Sequence, residues 1–158
     1  MSELQTVSRD ETIAVDALVD EVLVDLEPLA QEKEIKLIGN CKDTTMVGSD
    51  ILIYRMVYNL VENAIKYNHF GGQVTVTAYR KGKNICLSVE DTGSGIPAEL
   101  KERIFEPFFR VDKSRSRQLG GVGLGLALVH EIVRVHDGRI TVQSSPSGGT
   151  IFEVVFTQ

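Results

Sequence analysis

Cysteine is scarce in this 158-residue chain, which contains Cys41, Cys86 and no tryptophan. Two cysteines are too few for the disulfide scaffold of a small secreted protein, and their spacing matches no metal-binding motif. No apolar run approaches the ~20 residues of a membrane span, and the N-terminus lacks the apolar core of a signal peptide. These absences predict a reduced, cytoplasmic, one-domain protein with no direct membrane insertion of this segment. Its length suffices for a core without disulfides or metals.

Basic residues are also in deficit, with 17 Lys and Arg against 22 Asp and Glu, a net charge of −5. This balance excludes nucleic acid as a general partner, because phosphate neutralisation needs a basic surface. Residues 110–117 are an exception to this acidic balance. They contain four cations, at 110, 113, 115 and 117, and one anion, Asp112. A local charge of +3 next to a glycine cluster is either solvated surface or a segment that closes over a polyphosphate, and its position favours the second.

Apolar periodicity predicts three helices. The first follows Asp16 as N-cap, the second runs from Ser49-Asp50 to about Asn68, and the third spans 124–136 with Gly138 as the C′ residue. A short helix is predicted over 96–104. Seven segments alternate as strands should: 13–15, 35–39, 45–47, 73–80, 84–90, 139–144 and 150–156. Together they predict an α+β two-layer sandwich of about three helices on a mixed, mostly antiparallel sheet.

Polar residues form one stripe on the second helix, because Asn59, Glu62, Asn63 and Lys66 recur at helical spacing. An ordinary solvated face would look similar. However, asparagine is a poor helix former, so two in a helix interior are unexpected. Their amide oxygens suit Mg²⁺, which takes few protein ligands beside substrate phosphates, and Lys66 could reach such a phosphate.

Two glycine-rich segments follow. Asp91-Thr-Gly93-Ser-Gly95 comes after a strand, where the carboxylate could accept a hydrogen bond from an exocyclic amine and the glycines could admit a flat ring. Gly120-Gly-Val-Gly-Leu-Gly125 runs into a helix and could bind an anion. Neither segment is a Walker A motif or a Rossmann fingerprint.

The ordered motifs resemble the catalytic domain of sensor histidine kinases. Asn59-Leu-Val-Glu-Asn63-Ala-Ile-Lys66-Tyr67-Asn68 is similar to the N box, and Asp91–Ile96 to the G1 box. Phe105-Glu-Pro-Phe108-Phe109-Arg110 resembles the F box, residues 121–126 the G2 box, and 148–150 the final glycine motif. The resemblance covers about residues 12–158. It implies the Bergerat-type ATP-binding fold shared with gyrase, Hsp90 and MutL, that is, the GHKL superfamily.

The resemblance also implies roles for individual residues. Asn63 would bind Mg²⁺ with Asn59 assisting, and Asp91 would accept from the adenine amine. The ATP lid would span about 110–122 and be anchored by Phe105 and Phe108. The remaining implied ATP contacts are Lys66, Tyr67 and Arg110 at the phosphates or ribose, Gly93, Gly95 and Thr150 near the ring, and Gly121, Gly123, Leu124 and Gly125 at the lid hinge and phosphates.

Position 59 separates the histidine kinase from its alternatives. Hydrolytic ATPases and serine kinases of the superfamily carry a glutamate four residues before the Mg²⁺ asparagine, as a general base. Here that residue is Asn59, and Glu62 projects at a different angle. A neutral imidazole needs less help from a base. The sequence therefore favours a histidine kinase over a serine kinase or hydrolytic ATPase. The presence of Asn63, Lys66 and the arginines of the lid speaks against a nucleotide-binding module without transfer activity.

The resemblance implies partners as well. Residues 1–11 would be the remnant of a linker from a dimerisation domain that carries the phosphoacceptor histidine. The isolated chain would then not autophosphorylate, and a response regulator would act downstream. Most members of the family are anchored in the membrane as full-length proteins. Of the chain's own histidines, His69 is expected to be exposed, His130 to lie on a packing helix and His136 to be a cation at a helix end.

Overall fold

The computed structural model describes residues 3–101, 103–106 and 125–158. Its helices are α1 (Val15–Glu32), α2 (Asp50–Lys66) and α3 (Gly125–Val135). Its strands are β1 (Glu11–Ala14), β2 (Lys36–Cys41), β3 (Thr45–Gly48), β4 (Gln73–Lys81), β5 (Asn84–Asp91), β6 (Arg139–Ser144) and β7 (Thr150–Thr157). Short 3-10 helices cover Glu3–Thr6 and Ala98–Leu100. The predicted order of the three long helices and the seven strands is confirmed.

Five strands form the main sheet in the order β2-β4-β5-β7-β6. Strands β2 and β4 are parallel, whereas the other neighbours pair antiparallel. Strands β1 and β3 form a separate antiparallel pair. The three helices pack against the main sheet, and the alternating buried residues of β4, β5 and β7 meet them in one apolar core. The predicted α+β sandwich on a mixed, mostly antiparallel sheet is therefore confirmed.

The parallel pair brings two helix ends together. Helix α1 leads into β2 and α2 leads into β4, so both helices finish at the same end of the sheet. Backbone hydrogen bonds join the two turns, because Gly71 N donates to Lys33 O at 2.9 Å and Lys36 N donates to Gly72 O at 3.0 Å. The end of α2, where several predicted site residues lie, is thus held by the end of α1.

Two predicted helix boundaries are wrong. Helix α1 begins at Val15 after Ala14, so Asp16 lies within the first turn and is not the N-cap. Helix α3 ends in a turn whose left-handed residue is Asp137, with φ of 57°, and not Gly138. Gly138 is instead required for close packing, because a Cβ there would lie 2.7 Å from the Phe156 ring. The N-cap of α2 is confirmed, since Ser49 Oγ accepts a hydrogen bond from Leu52 N.

The predicted short helix over 96–104 is also wrong. Among the described residues of this range, only Ala98–Leu100 is helical, and it is a 3-10 helix. The described residues that follow continue as turns with bonds between residues three apart, such as Arg103 N to Leu100 O and Glu106 N to Arg103 O. This tighter winding eclipses side chains at that spacing and rarely extends beyond one turn.

His136 is a neutral acceptor and not the expected cation. Its Nδ1 lies 2.8 Å from Ile132 O, while Nε2 accepts a hydrogen bond from Ser49 N at 3.0 Å. Burial lowers the pKa of the imidazole, Arg9 lowers it further, and the Ile132 carbonyl and Asp137 oppose the shift. One ring thereby satisfies a backbone N–H at the start of α2 and a carbonyl near the end of α3.

Candidate functional site

Asp91 is a buried carboxylate at the end of a core strand. In β5, Ile85, Leu87 and Val89 alternate toward the core, and Asp91 is the next residue on that face. Because side chains of a strand alternate between faces, this register directs the carboxylate beneath the helical layer. Only 8% of Asp91 remains exposed. A charged group placed here by the strand period points to binding and not to core packing.

The two oxygens of Asp91 have different surroundings. Oδ1 accepts hydrogen bonds from Gly93 N at 2.8 Å and Thr150 N at 3.3 Å. No described residue donates to Oδ2, and the only fully buried side-chain oxygen without a partner among the described residues is Asp16 Oδ1. Asp91 Oδ2 therefore retains solvent contact and can accept from a ligand. Burial raises the pKa of the carboxyl group, and the two backbone N–H groups oppose that rise.

Three glycines allow the backbone to close around Asp91. A Cβ at Gly93 would lie 2.6 Å from Tyr67 O, and one at Gly149 would lie 2.0 Å from Asp91 O. Gly95 has φ of 77°, and a Cβ there would lie 2.6 Å from Gly148 O. The segment after β5 and the turn before β7 are therefore in contact, with Asp91 and the buried Thr150 between them. The structure brings together Asp91, Gly93, Gly95 and Thr150, four residues of the predicted site.

The polar stripe of α2 is half-buried in the structure. Asn59, Glu62, Asn63 and Lys66 all have intermediate exposure, whereas the residues on the opposite face are buried. Asn59 Nδ2 donates to Gly125 O at 3.5 Å, so the stripe faces the start of α3. Glu62 Oε1 lies 3.9 Å from Lys66 Nζ.

The end of α2 is joined to the Asp91 segment by Asn68, which is fully buried. Its Nδ2 donates to Gln73 O at 3.1 Å, and its Oδ1 accepts from His69 N at 2.9 Å and Thr92 Oγ1 at 3.3 Å. This side chain therefore connects the residues after Lys66 and Tyr67 with the residue after Asp91. In the sequence, Asn68 is the predicted end of the helix and the last residue of the N box, and nothing there indicates its contact with Thr92.

Lys33 also contacts the end of α2, although no sequence motif includes it. It is the C-cap of α1, yet its Nζ donates to Ile65 O, Lys66 O and Asn68 O at 3.2, 2.9 and 2.6 Å. No local signal marks this contact, because the acceptors lie 32 to 35 residues further along the chain.

Several predicted site residues lie outside the described residues. These are Arg110, Gly121, Gly123, Leu124, the lid at about 110–122 and the anchor Phe108. Gly125 is described and begins α3 as an exposed residue. The other predicted lid anchor, Phe105, is half-buried, with its ring centroid 6.2 Å from that of Phe152 and 5.5 Å from that of His130.

Within the described ranges, no cluster of three His, Cys, Asp or Glu side chains could hold a metal ion. The donor set near Asn63 nevertheless fits Mg²⁺, which accepts an amide oxygen and keeps waters and phosphate oxygens as its other ligands.

His69 and His130 are both exposed. No helix in the described part of the chain has the length and apolar character of a membrane span.

Comparison with known proteins agrees with this geometry. Residues 48–158 match the family of histidine kinase-, DNA gyrase B-, and HSP90-like ATPases. The chain is 40% identical over 141 residues to the sensor-like histidine kinase SenX3 of Mycobacterium tuberculosis, covering 89% of this chain and 34% of SenX3. The chain thus spans about a third of the length of the curated relatives that it matches.

Solved structures of histidine kinases share the fold. The nucleotide-free catalytic domain of ThkA is 27% identical with a TM-score of 0.84, covering 95% of this chain and 96% of the domain. Full-length ShkA in complex with AMPPNP is 26% identical with a TM-score of 0.80, covering 93% of this chain and 30% of ShkA.

Proposed function

The chain belongs to the family of histidine kinase-, DNA gyrase B-, and HSP90-like ATPases, and it is the ATP-binding catalytic domain of a sensor histidine kinase. We propose that this domain binds Mg·ATP and supports transfer of the γ-phosphate to a histidine. The observation that carries the proposal is Asp91, a buried carboxylate with one oxygen held by backbone N–H groups and the other available. The AMPPNP bound to the similar kinase ShkA supports an adenine nucleotide as the ligand.

Asp91 would select adenine by its exocyclic amine. The amine is a hydrogen-bond donor, and Oδ2 is a charged acceptor with no donor among the described residues. Gly93 and Gly95 would let the backbone close up around Asp91, because a Cβ at either position would meet a backbone oxygen at 2.6 Å. Thr150 would lie at the same end, since its backbone N–H already contacts Asp91.

The polar stripe of α2 would bind the metal and the phosphates. Asn63 would ligate Mg²⁺ through its amide oxygen with Asn59 assisting, and Lys66 would contact a phosphate, with Tyr67 next to it. Bound Mg²⁺ supplies electrostatic stabilisation of the charge that develops on the phosphate oxygens. Arg110 and the glycines at 121, 123 and 125, with Leu124, are proposed to complete the phosphate contacts.

The acceptor would be a histidine of a separate dimerisation domain. A neutral imidazole nitrogen forms a bond to the γ-phosphorus while the bond to the bridging oxygen breaks, and ADP leaves with that electron pair. The comparisons do not favour the alternative of a serine kinase or hydrolytic ATPase, since relatives at about 40% identity are named sensor histidine kinases. Asn59, where those enzymes carry a base, is consistent with this.

The remaining partners follow from the same proposal. The structure of the similar kinase ThkA in complex with the response regulator protein TrrA supports a response regulator as the downstream acceptor. Residues 1–11 are proposed to continue a linker from the dimerisation domain. The full-length protein is proposed to be a sensor anchored in the membrane, with this domain in the cytoplasm.

Calorimetric titration with ATP, with and without Mg²⁺, tests the proposal. We expect the unaltered chain to bind Mg·ATP and Asn63→Ala to bind it at least about tenfold more weakly, with no such difference in EDTA. Asn40→Ala, an exposed asparagine on β2, is the matched control and should bind normally. A separately prepared dimerisation domain should then gain acid-labile phosphate from ATP. An unaltered chain that does not bind Mg·ATP would contradict the proposed function.

A further inference from the structure

We propose that Lys33 is a positioning residue for the nucleotide site, acting through the last turn of α2. The inference rests on the proposed function, because the site that it positions is the proposed ATP site. Lys33 lies on α1, outside every motif that pointed to ATP, and would touch neither the nucleotide nor the metal.

The ammonium of Lys33 has three hydrogens, and three carbonyl oxygens accept from it. Ile65 O, Lys66 O and Asn68 O lie 3.2, 2.9 and 2.6 Å from Nζ. The last carbonyls of a helix have no partner within the helix and carry the negative end of its dipole. A cation there stabilises the terminal turn by hydrogen bonding and by charge. That turn carries Lys66 and leads directly into Tyr67.

The backbone of Lys33 is itself fixed. It is followed by Glu34, whose φ of 53° closes α1, and Ile35 N donates to Ala30 O at 2.9 Å. Gly71 N donates to Lys33 O at 2.9 Å. The residue therefore makes two contacts here: its side chain contacts the end of α2, and its carbonyl contacts the turn that follows. A long, flexible side chain positions its partner more precisely when the backbone that carries it is fixed.

Hydrogen bonds connect Lys33, through the end of α2, with the residues next to Asp91. Lys33 holds Asn68 O, and the Asn68 side chain accepts from Thr92 Oγ1, next to Asp91. Tyr67 O lies so close to Gly93 that a Cβ there would come within 2.6 Å. A displacement of 66–68 would therefore be transmitted to both halves of the site, the phosphate side at Lys66 and the adenine side at Asp91–Gly93.

The rest of α2 does not depend on this contact. Its apolar face is buried from Leu52 to Ile65, so the helix packs on the sheet without Lys33. Loss of the ammonium should loosen the terminal turn and leave the fold intact. This separates a positioning role from a purely structural one, because the two roles predict different effects on ligand binding at equal stability.

The experiment compares variants of the whole chain. Lys33→Met keeps the length of the side chain and removes the charge, and Lys33→Gln is a second, polar variant. Lys36→Met, an exposed lysine at the sheet edge, controls for the loss of one positive charge. Val22→Ala, a core residue of α1, controls for lowered stability. Mg·ATP affinity is measured by calorimetry well below each melting temperature. Amide hydrogen exchange is measured without nucleotide.

For a positioning residue, Lys33→Met and Lys33→Gln should weaken Mg·ATP binding by about tenfold, equivalent to about 1.4 kcal/mol. Exchange should rise at residues 66–69 and 91–93 and stay unchanged in the middle of α2. The Lys36→Met and Val22→Ala variants should bind as the unaltered chain does.

Unchanged affinity in either folded Lys33 variant, or a loss matched by Val22→Ala, would overturn the inference. If the unaltered chain fails to bind Mg·ATP, the proposed function fails. The exchange measurement then still reports whether Lys33 orders the two segments.

Discussion

The Asp91→Asn substitution separates what Asp91 contributes to binding from what it costs in stability. Oδ1 accepts from Gly93 N and Thr150 N, and the same two N–H groups would require the amide oxygen of an asparagine in that place. The amide nitrogen then replaces Oδ2. A hydrogen-bond donor would thus face the exocyclic amine of adenine, where the carboxylate presents an acceptor.

The loss of affinity can be worked from this geometry. A hydrogen bond to a charged group contributes about 1.5–3 kcal/mol, so its removal weakens binding about 10- to 150-fold. The opposed donors add to that loss. We therefore expect ATP affinity to fall by at least about tenfold, although the substitution changes only one atom and leaves the backbone contacts in place.

Stability should move in the opposite direction. Burial raises the pKa of Asp91, so the folded state holds its proton more tightly than the unfolded state does. For a raised pKa, the stabilising contribution is full below the unfolded value of 3.8 and is lost as the pH rises through the folded value. At neutral pH the unaltered chain buries a charge that the variant lacks. The variant should therefore be at least as stable, and its advantage should grow as the pH rises above about 4.

The assay is a thermodynamic cycle with two ligands. Affinities of the unaltered chain and Asp91→Asn are measured for ATP and for purine riboside triphosphate, which lacks the amine. The substitution should weaken ATP binding much more than binding of the amine-free ligand, with an equal or higher melting temperature. An equal loss for both ligands would refute the pairing of Asp91 with the amine. A stability difference that does not change as the pH rises above about 4 would refute the assigned direction of the pKa shift.

Two further predictions concern the frame around the site. His136→Gln removes a titrating group whose pKa is lowered in the folded state. The unaltered chain should therefore lose stability relative to the variant as the pH falls below about 6.5. Urea unfolding of both chains at several pH values measures this difference. A constant difference between pH 5 and 8 would show that the imidazole is not held neutral. Gly149→Ala would place a Cβ 2.0 Å from Asp91 O and should destabilise the fold by more than about 4 kcal/mol. Its control, Gly82→Ala, has a left-handed φ but open space and should cost only about 1–2 kcal/mol, so equal melting temperatures would contradict the close contact.

Local sequence signals predicted the elements well, for identifiable reasons. The apolar period of α2 and its N-cap Ser49 depend on residues within a few positions, and the structure agrees with both. The alternation in β5 likewise follows from the chain itself and extends to Asp91. Helix ends were less predictable. Asp137 adopts the left-handed conformation although a glycine follows it, because Gly138 is needed against Phe156, a residue of a distant strand.

The parallel pairing of β2 with β4 could not be predicted from neighbouring residues either, because it joins segments that are far apart along the chain. The strands flanking Lys42 and Asp43 adjoin in the chain, yet β2 joins the main sheet while β3 pairs with β1. That choice depends on the packing of α1 and α2 against one sheet. Its consequence is the meeting of the two helix ends at which Lys33 contacts α2.

The sequence by itself determined the chemistry of this domain. The composition excluded a disulfide scaffold and nucleic acid as a general partner, and the resemblance of the ordered motifs to those of sensor histidine kinases indicated an ATP-binding catalytic domain. Only the tertiary structure decided which oxygen of Asp91 remains available, why Gly149 must lack a side chain and how Lys33 supports a turn more than 30 residues away. Residue types and local periods are properties of neighbouring positions, whereas these contacts exist only once distant strands and helices pack together.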